Sequence, residues 1–164
     1  MWSLEKSGFF SVNHMSKILM ESQSNERIGD TYKFWSNLTP IKVNIFLWRF
    51  LNDSLPIRIN LSKRGIPLQS LACIFCDNHA ESLDHCFFTC TSASILWRKI
   101  WAWWGFKSPL LSSTVMFKRM ARQLAQRKRC GKVFMAVCEV ALWHLWKWRN
   151  SILFAKGDDC VKKN

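Results

Sequence analysis

Residues 73–90 read CIFCDNHAESLDHCFFTC and contain four of the chain's seven cysteines. Two residues separate Cys73 from Cys76, so a tight turn can aim both thiolates at one ion. His85 and Cys90 follow at a spacing that completes a set of four ligands. Zinc accepts mixed sulfur and nitrogen ligands, and four protein ligands leave no coordination position for water. The spacing therefore predicts one structural zinc ion, Zn²⁺, rather than a catalytic one.

The third ligand has competitors within the same stretch. His79 and Cys86 both lie close enough in sequence to take the place of His85. We prefer His85, because Phe87 and Phe88 can pack beneath a ligand at that position while Cys86 points away from the metal. The alternative is that the cysteines are ordinary buried thiols and the histidine is satisfied within a core.

The sequence before the cluster predicts two helices. Thr39 is expected to cap the first, and Pro40 suits its first turn because the missing N–H has no partner there. One wide apolar face follows at helical spacing: Val43, Phe46, Leu47, Phe50 and Leu51. Pro56 to Arg64 predicts a second, shorter helix, which Gly65 closes.

The sequence after the cluster also predicts helices. One runs from Ser92 to Trp103 and ends at Gly105, and another stretch, from Val115 to Phe154, is helical with an interruption near Gly131. Residues 157–164 are expected to form a polar tail. Near the N-terminus, Phe9 to Val12 predicts a short extended piece that leads into a helix.

These patterns predict a mainly α fold: a small helical domain around a Cys/His zinc knuckle, with a basic C-terminal helical extension. We place the zinc-binding domain at residues 1–106 and the Trp-rich extension with its polar tail at 107–164. A chain of 164 residues has room for one ordinary domain or two small ones.

Charge indicates the class of partner. Lys and Arg number 24 against 11 Asp and Glu, which gives a net charge of +13. Such an excess favours a polyanionic partner, and nucleic acid, RNA or DNA, is the usual one. No uncharged apolar run is long enough to span a membrane, and the N-terminal residues do not have the pattern of a secretory signal. We therefore expect an intracellular, reducing compartment, in which the cysteines stay thiols or bind metal.

Two groups of basic residues are candidate phosphate contacts. One precedes the knuckle and the other follows it without an intervening acidic residue. The first group is Arg49, Arg58, Lys63 and Arg64; the second is Lys118, Arg119, Arg122, Arg127, Lys128, Arg129 and Lys132. The alternative is a solvated helix face in an already basic protein. Of the ten tryptophans, those at helical spacing are expected to pack in the core rather than to stack on bases.

No sequence motif indicates an enzyme. Polymerase chemistry needs carboxylates that hold two metal ions, and no Tyr-x-Asp-Asp string occurs. The acidic residues are too scattered for a nuclease or ribonuclease H site, and there is no Gly-rich phosphate loop. We therefore expect a non-catalytic protein.

The order of these motifs resembles the reverse transcriptase zinc-binding domain of plant LINE-type retrotransposons, which follows the polymerase. The resemblance covers roughly residues 7–105. The segments that carry it are SGFFSV at 7–12, PIKVNIFLWR at 40–49, LPIRINL at 55–61, RGI at 64–66, CIFC at 73–76, ESLDHCFFTC at 81–90 and Trp97.

The resemblance implies a zinc module without an active site, with Cys73, Cys76, His85 and Cys90 as the ligands. It also implies a nuclear location, and a reverse transcriptase or ribonuclease H domain as a possible neighbour. The chain departs from the family pattern at Cys86, where Leu is usual, and at Ile57, where Thr is usual. The alternative function is a structural or protein-interaction domain, or an inactive transposon relic, without nucleic-acid contact.

Overall fold

The computed structural model describes residues 36–105, 111–125 and 129–161, with residue 125 and residues 156–161 described by their backbone alone. The predicted N-terminal strand and helix, like Arg127 and Lys128, lie outside these ranges. Within them the chain is helical, as predicted, and its only strand-like pairing is one antiparallel bridge between Ala72 and Ala80. The α-helices are α1 (Ile41–Leu51), α2 (Arg58–Lys63), α3 (Thr91–Trp103), α4 (Thr114–Ala125) and α5 (Arg129–Val161); a π-helical turn (His85–Thr89) precedes α3.

The first helix begins as its apolar pattern predicts, but without the predicted cap. Pro40 occupies the N-cap position, and no side chain caps the helix. The prediction for Thr39 was wrong because its buried hydroxyl is drawn into other contacts. It lies 2.9 Å from Asn44 Oδ1 and 3.3 Å from Oε2 of Glu139 on α5. The N-terminal end of α1 is thus bound to the C-terminal part of the chain.

The second helix ends at the predicted glycine. The Gly65 N–H donates to the Ser62 carbonyl at 2.9 Å, and the Ile66 N–H donates to the Leu61 carbonyl at 3.1 Å. These two bonds define a Schellman motif, in which the first residue after the C-cap adopts a left-handed conformation. Gly65 supplies that conformation with φ at +77°.

A cluster of aromatic rings forms the core between the helices. Phe50 of α1 lies with its ring centroid 5.0 Å from that of Phe87 and 6.1 Å from that of Phe117 on α4. Phe46 meets Trp143 of α5 edge to face at 5.4 Å. Because Phe87 belongs to the π-helical turn, the core packs directly beneath the region that carries His85 and Cys90.

The last helix differs from its prediction in two places. The described residues of the C-terminal helical stretch form two helices, α4 and α5, as an interruption predicts, but Gly131 lies within α5. The helix also continues through Gly157 to Val161, where a polar tail was predicted. A glycine within a helix costs about 1 kcal/mol, which the burial of Phe134, Cys138 and Leu142 on the same helix outweighs. In the described ranges, no helix combines the length and apolar character needed to cross a membrane.

Candidate metal centre

The first pair of cysteines lies in a narrow hairpin. The Cys73 N–H donates to the His79 carbonyl at 2.7 Å, and the Asp77 N–H donates back to the Cys73 carbonyl at 2.8 Å. Asp77 turns the chain with φ at +53°, a conformation that Asp tolerates better than most residues. These bonds fold Cys73 and Cys76 onto one side of the hairpin.

The second pair depends on the π-helical turn. In an α-helix, side chains five residues apart point about 140° away from each other. Here the Cys90 N–H donates to the His85 carbonyl at 2.8 Å, the five-residue bond of a π-helix. The wider turn returns Cys90 to the side of His85. Ser82 Oγ supports the start of the turn by accepting the His85 N–H at 3.1 Å.

The four predicted ligands converge. Their donor atoms all lie within 4.8 Å of one another. Cys73 Sγ and Cys90 Sγ are 3.9 Å apart, and Cys76 Sγ lies 3.3 Å from His85 Nε2. Zn–S bonds of about 2.3 Å in a tetrahedron place two sulfur atoms about 3.8 Å apart. The cluster is therefore suited to hold one zinc ion.

The surroundings raise the pKa of the Cys73 and Cys90 thiols and lower that of the Cys76 thiol. Burial raises the pKa of the Cys73 thiol to about 12, and the neighbouring Cys90 and Cys76 add to this rise. Burial acts in the same direction on Cys76, but hydrogen bonds from the Asn78 N–H and from two cysteine side chains lower its pKa overall. A bound dication would favour the thiolate form of all three, which is the form that coordinates metal.

The imidazole of His85 directs one ring nitrogen at the other ligands and the second at a hydroxyl. His85 Nε2 faces Cys76, while Nδ1 lies 3.3 Å from the Thr89 hydroxyl. Burial and the nearby His79 lower the pKa of His85, so the neutral ring that metals require is favoured. A contact at the second nitrogen is the usual way in which a protein orients a histidine ligand.

The competing residues lie outside the group of four. Cys86 is fully buried, and burial raises the pKa of its thiol, with the Glu81 carboxylate as the next cause. His79 is exposed, with its ring centroid 5.1 Å from that of His85. Among the remaining cysteines with described side chains, Cys130 is exposed on α5 and Cys138 is buried there.

Sequence reasoning missed a buried ion pair beside the cluster. Arg149 of α5 donates from Nε and Nη2 to the two oxygens of Glu81, at 3.0 and 2.8 Å. The side chains are 3% and 0% exposed. Glu81 Oε2 also accepts the Arg58 N–H at 2.9 Å, at the start of α2. This carboxylate therefore satisfies a backbone N–H at the start of α2, where Ile57 at the N-cap provides no side-chain hydrogen bond.

The predicted basic residues are distributed over several helices. Arg119 and Arg122 are exposed on α4, and Arg129 and Lys132 are exposed in the first turn of α5. The first group separates: Arg49 lies on the outside of α1, and Arg58 is half-buried and donates to the Ala72 carbonyl. The exposed residues Arg98 and Lys99 on α3 were in neither predicted group.

One cleft brings members of both groups together. It has a volume of about 310 Å³, and Lys63 of α2 and Lys118 of α4 both line it. Asp53 and Asp84 line it as well. Asp84 Oδ1 accepts the N–H and the hydroxyl of Thr114, at 2.7 and 2.6 Å, and so fixes the start of α4.

A closed set of three cysteines and one histidine, held by a hairpin and a helical turn, defines a small structural metal-binding domain. The family model described as zinc-binding in reverse transcriptase matches residues 10–97, which is more than half of the chain. The chain belongs to this family. Comparison with curated proteins and with solved structures gives no match.

Proposed function

We propose that the chain is a non-catalytic accessory module of a plant LINE-type reverse transcriptase, which one structural zinc ion organises and which binds RNA or DNA. Cys73, Cys76, His85 and Cys90 would hold the ion. Zinc in such a site supplies folding free energy, on the order of 10–16 kcal/mol in small zinc-finger peptides. The family match and the converging donor atoms support this part of the proposal.

One observation carries the nucleic-acid part. Arg129 and Lys132 are exposed in the first turn of α5. This first turn contains no acidic residue. The N-terminus of a helix carries partial positive charge, so a cation there costs stability of about 0.3–1 kcal/mol. A basic pair at this position opposes the stability of the helix but suits contact with phosphate groups.

The same reasoning gives a test in which a loss of binding cannot be attributed to unfolding of the variant. In the Arg129→Glu/Lys132→Glu variant the helix terminus becomes more favourable, so the zinc-loaded full chain stays folded. We expect weaker binding to a labelled 20-nucleotide RNA and to a 20-base-pair DNA, together with a shallower dependence of affinity on salt. Each phosphate contact contributes a log–log slope of about −0.9 on duplex DNA and about −0.7 on single strands.

The matched control is Arg98→Glu/Lys99→Glu, which changes the net charge equally on the exposed face of α3. A larger loss for the α5 variant than for the control supports specific phosphate contacts. Equal losses would show that only net charge matters. If the unchanged chain binds neither RNA nor DNA at low salt, the nucleic-acid proposal fails and the protein-interaction alternative replaces it.

The proposal also covers activity and location. Added to template, primer, nucleotides and Mg²⁺, the isolated chain is expected to neither extend nor nick the strands. A nuclear location and a polymerase or ribonuclease H neighbour follow from the proposed origin.

A further inference from the structure

The second half of α5 presents an exposed face with two large aromatic rings. Residues three, four and seven positions apart share one side of a helix. The exposed side chains of this half cover an arc of about 120°, with Trp148 and Phe154 at its two edges. They are His144, Lys147, Trp148, Ser151, Phe154 and Ala155. Trp148 is 47% exposed and Phe154 is 68% exposed. Most of the other aromatic side chains of α5 are buried or half-buried, so this face differs from the rest of the helix in leaving aromatic rings exposed to solvent.

The Trp148 ring is held in position from below. Its centroid lies 4.6 Å from that of Phe75, at an interplanar angle of 38°. Phe75 belongs to the hairpin between Cys73 and Cys76, and the next residue on α5, Arg149, is fixed by its buried pair with Glu81. The indole is thus supported by the hairpin on one side and leaves its other surface in solvent.

The charge of this face favours an anionic partner. Lys147 lies beside Trp148, and the only acidic residue between Arg129 and Phe154 is Glu139, which is buried. Aromatic rings near a cation match the combination with which proteins bind unpaired nucleotides.

We propose that Trp148, supported by Phe75, and Phe154 form a stacking platform for the bases of single-stranded nucleic acid, with Lys147 near the phosphates. The inference rests on the proposed function and narrows its substrate to unpaired strands. A duplex hides the faces of its bases, so it cannot use the rings. Each stacked base contributes about 1–3 kcal/mol, which corresponds to roughly 5- to 150-fold in affinity.

The test measures fluorescence anisotropy of a labelled 20-nucleotide single strand and of a 20-base-pair duplex with the zinc-loaded full chain. Trp148→Ala is expected to weaken single-strand binding 5- to 150-fold, with an unchanged salt slope and unchanged duplex binding. Trp148→Phe keeps a ring and is expected to restore most of the affinity. Trp103→Ala removes a ring that is 77% exposed on α3 and is the matched control.

Phe154→Ala provides a second, independent measurement because this exposed ring adds little to the core. The platform is excluded if Trp148→Ala and Phe154→Ala bind the single strand as tightly as the unchanged chain does. It is also excluded if each variant loses single-strand and duplex binding equally, or if the two rings are needed only for binding to vesicles that contain phosphatidylserine. If the unchanged chain binds neither strand form, the proposed function falls as well, so the two failures are distinguishable.

Discussion

The hairpin and π-helical turn of residues 71–90 and the core beneath them are stabilised in different ways. The core buries aromatic rings from α1, α4 and α5, and burial of apolar surface contributes about 25 cal/mol per Å². The hairpin and the turn have short-range backbone bonds and four metal-ligating side chains, and Phe87 and Phe88 of the turn reach into the core. We therefore expect the core to form from packing alone, whereas the arrangement of the four ligands needs the ion. The Glu81–Arg149 pair joins them.

Removing a ligand should separate the two regions most sharply. Cys90→Ser should greatly weaken zinc binding, because a buried thiolate ligand is lost and only three donors remain. The expected loss of folding free energy approaches the apparent binding free energy of structural zinc, which is on the order of 10 kcal/mol. Metal content by mass spectrometry and hydrogen exchange of residues 71–90 measure it. The control is Cys130→Ser, at an exposed position on α5, which should keep one zinc ion per chain. Full zinc content in the Cys90→Ser variant would refute the assignment of Cys90 as a ligand.

Breaking the ion pair should uncouple the regions while keeping the metal. Arg149→Met leaves Glu81 buried without its cation, which typically costs about 3–5 kcal/mol. Urea denaturation of zinc-loaded protein measures the change. Adding Glu81→Gln to Arg149→Met should cost less than the sum of the single changes, since each removes the same interaction. Additive losses would contradict a direct coupling.

A pH effect is expected from the core alone. Burial raises the pKa of Glu139 to about 7, although the Thr39 hydroxyl opposes the rise. Protonation is consistent with the hydrogen bonding, because Thr39 has one hydrogen and two nearby acceptors, Asn44 and Glu139. The folded state therefore binds a proton that the unfolded state releases at lower pH. The stabilising effect is complete below the unfolded pKa of 4.5 and is lost as pH rises through about 7.

Glu139→Gln imitates the protonated form. Relative to the unchanged chain, it should add about 3 kcal/mol at pH 8.5 and progressively less at pH 6.5 and pH 6. Chemical denaturation of both proteins at these pH values gives the difference, in which the titration of the metal ligands cancels. A difference that does not change with pH would show that Glu139 titrates normally.

The smallest effect is expected at the second nitrogen of the histidine. Thr89→Val removes the hydroxyl that lies 3.3 Å from His85 Nδ1 while it preserves the shape of the side chain. Such contacts typically affect metal affinity 10- to 100-fold, and an exposed threonine should fall near the lower figure. Competition with a zinc chelator measures the affinity. Thr91→Val, an exposed threonine at the start of α3, is the control; equal affinities for both variants would exclude this role.

The features that the sequence predicted are those with local causes. Two residues separate Cys73 from Cys76, and the end of α2 needs a positive φ that glycine adopts easily. Spacing and residue type were therefore sufficient to predict both features. The π-helical turn was not predicted, because a five-residue spacing in an α-helix points His85 and Cys90 apart. Glu81 and Arg149 carry no local signal of their pairing, since 68 residues separate them.

Errors in the helix boundaries have the same origin. Thr39 has the chemistry of a cap, but contacts with Glu139, 100 residues away, determine where its hydroxyl points. Gly131 has the composition of a break, yet tertiary packing of α5 overrides the cost of a single glycine. Tertiary contacts therefore decide the details that local propensity leaves open.

The distance along the chain between Glu81 and Arg149 also sets an order of events during synthesis. At 5–20 residues per second, a ribosome needs roughly 3–14 s to extend the chain by the 68 residues that lead from Glu81 to Arg149. Once Cys90 has been added, early in this interval, all four metal ligands exist, whereas the cation that neutralises Glu81 does not. The nascent chain can therefore capture its ion first, and the arrival of α5 then buries a hairpin that the metal has already shaped.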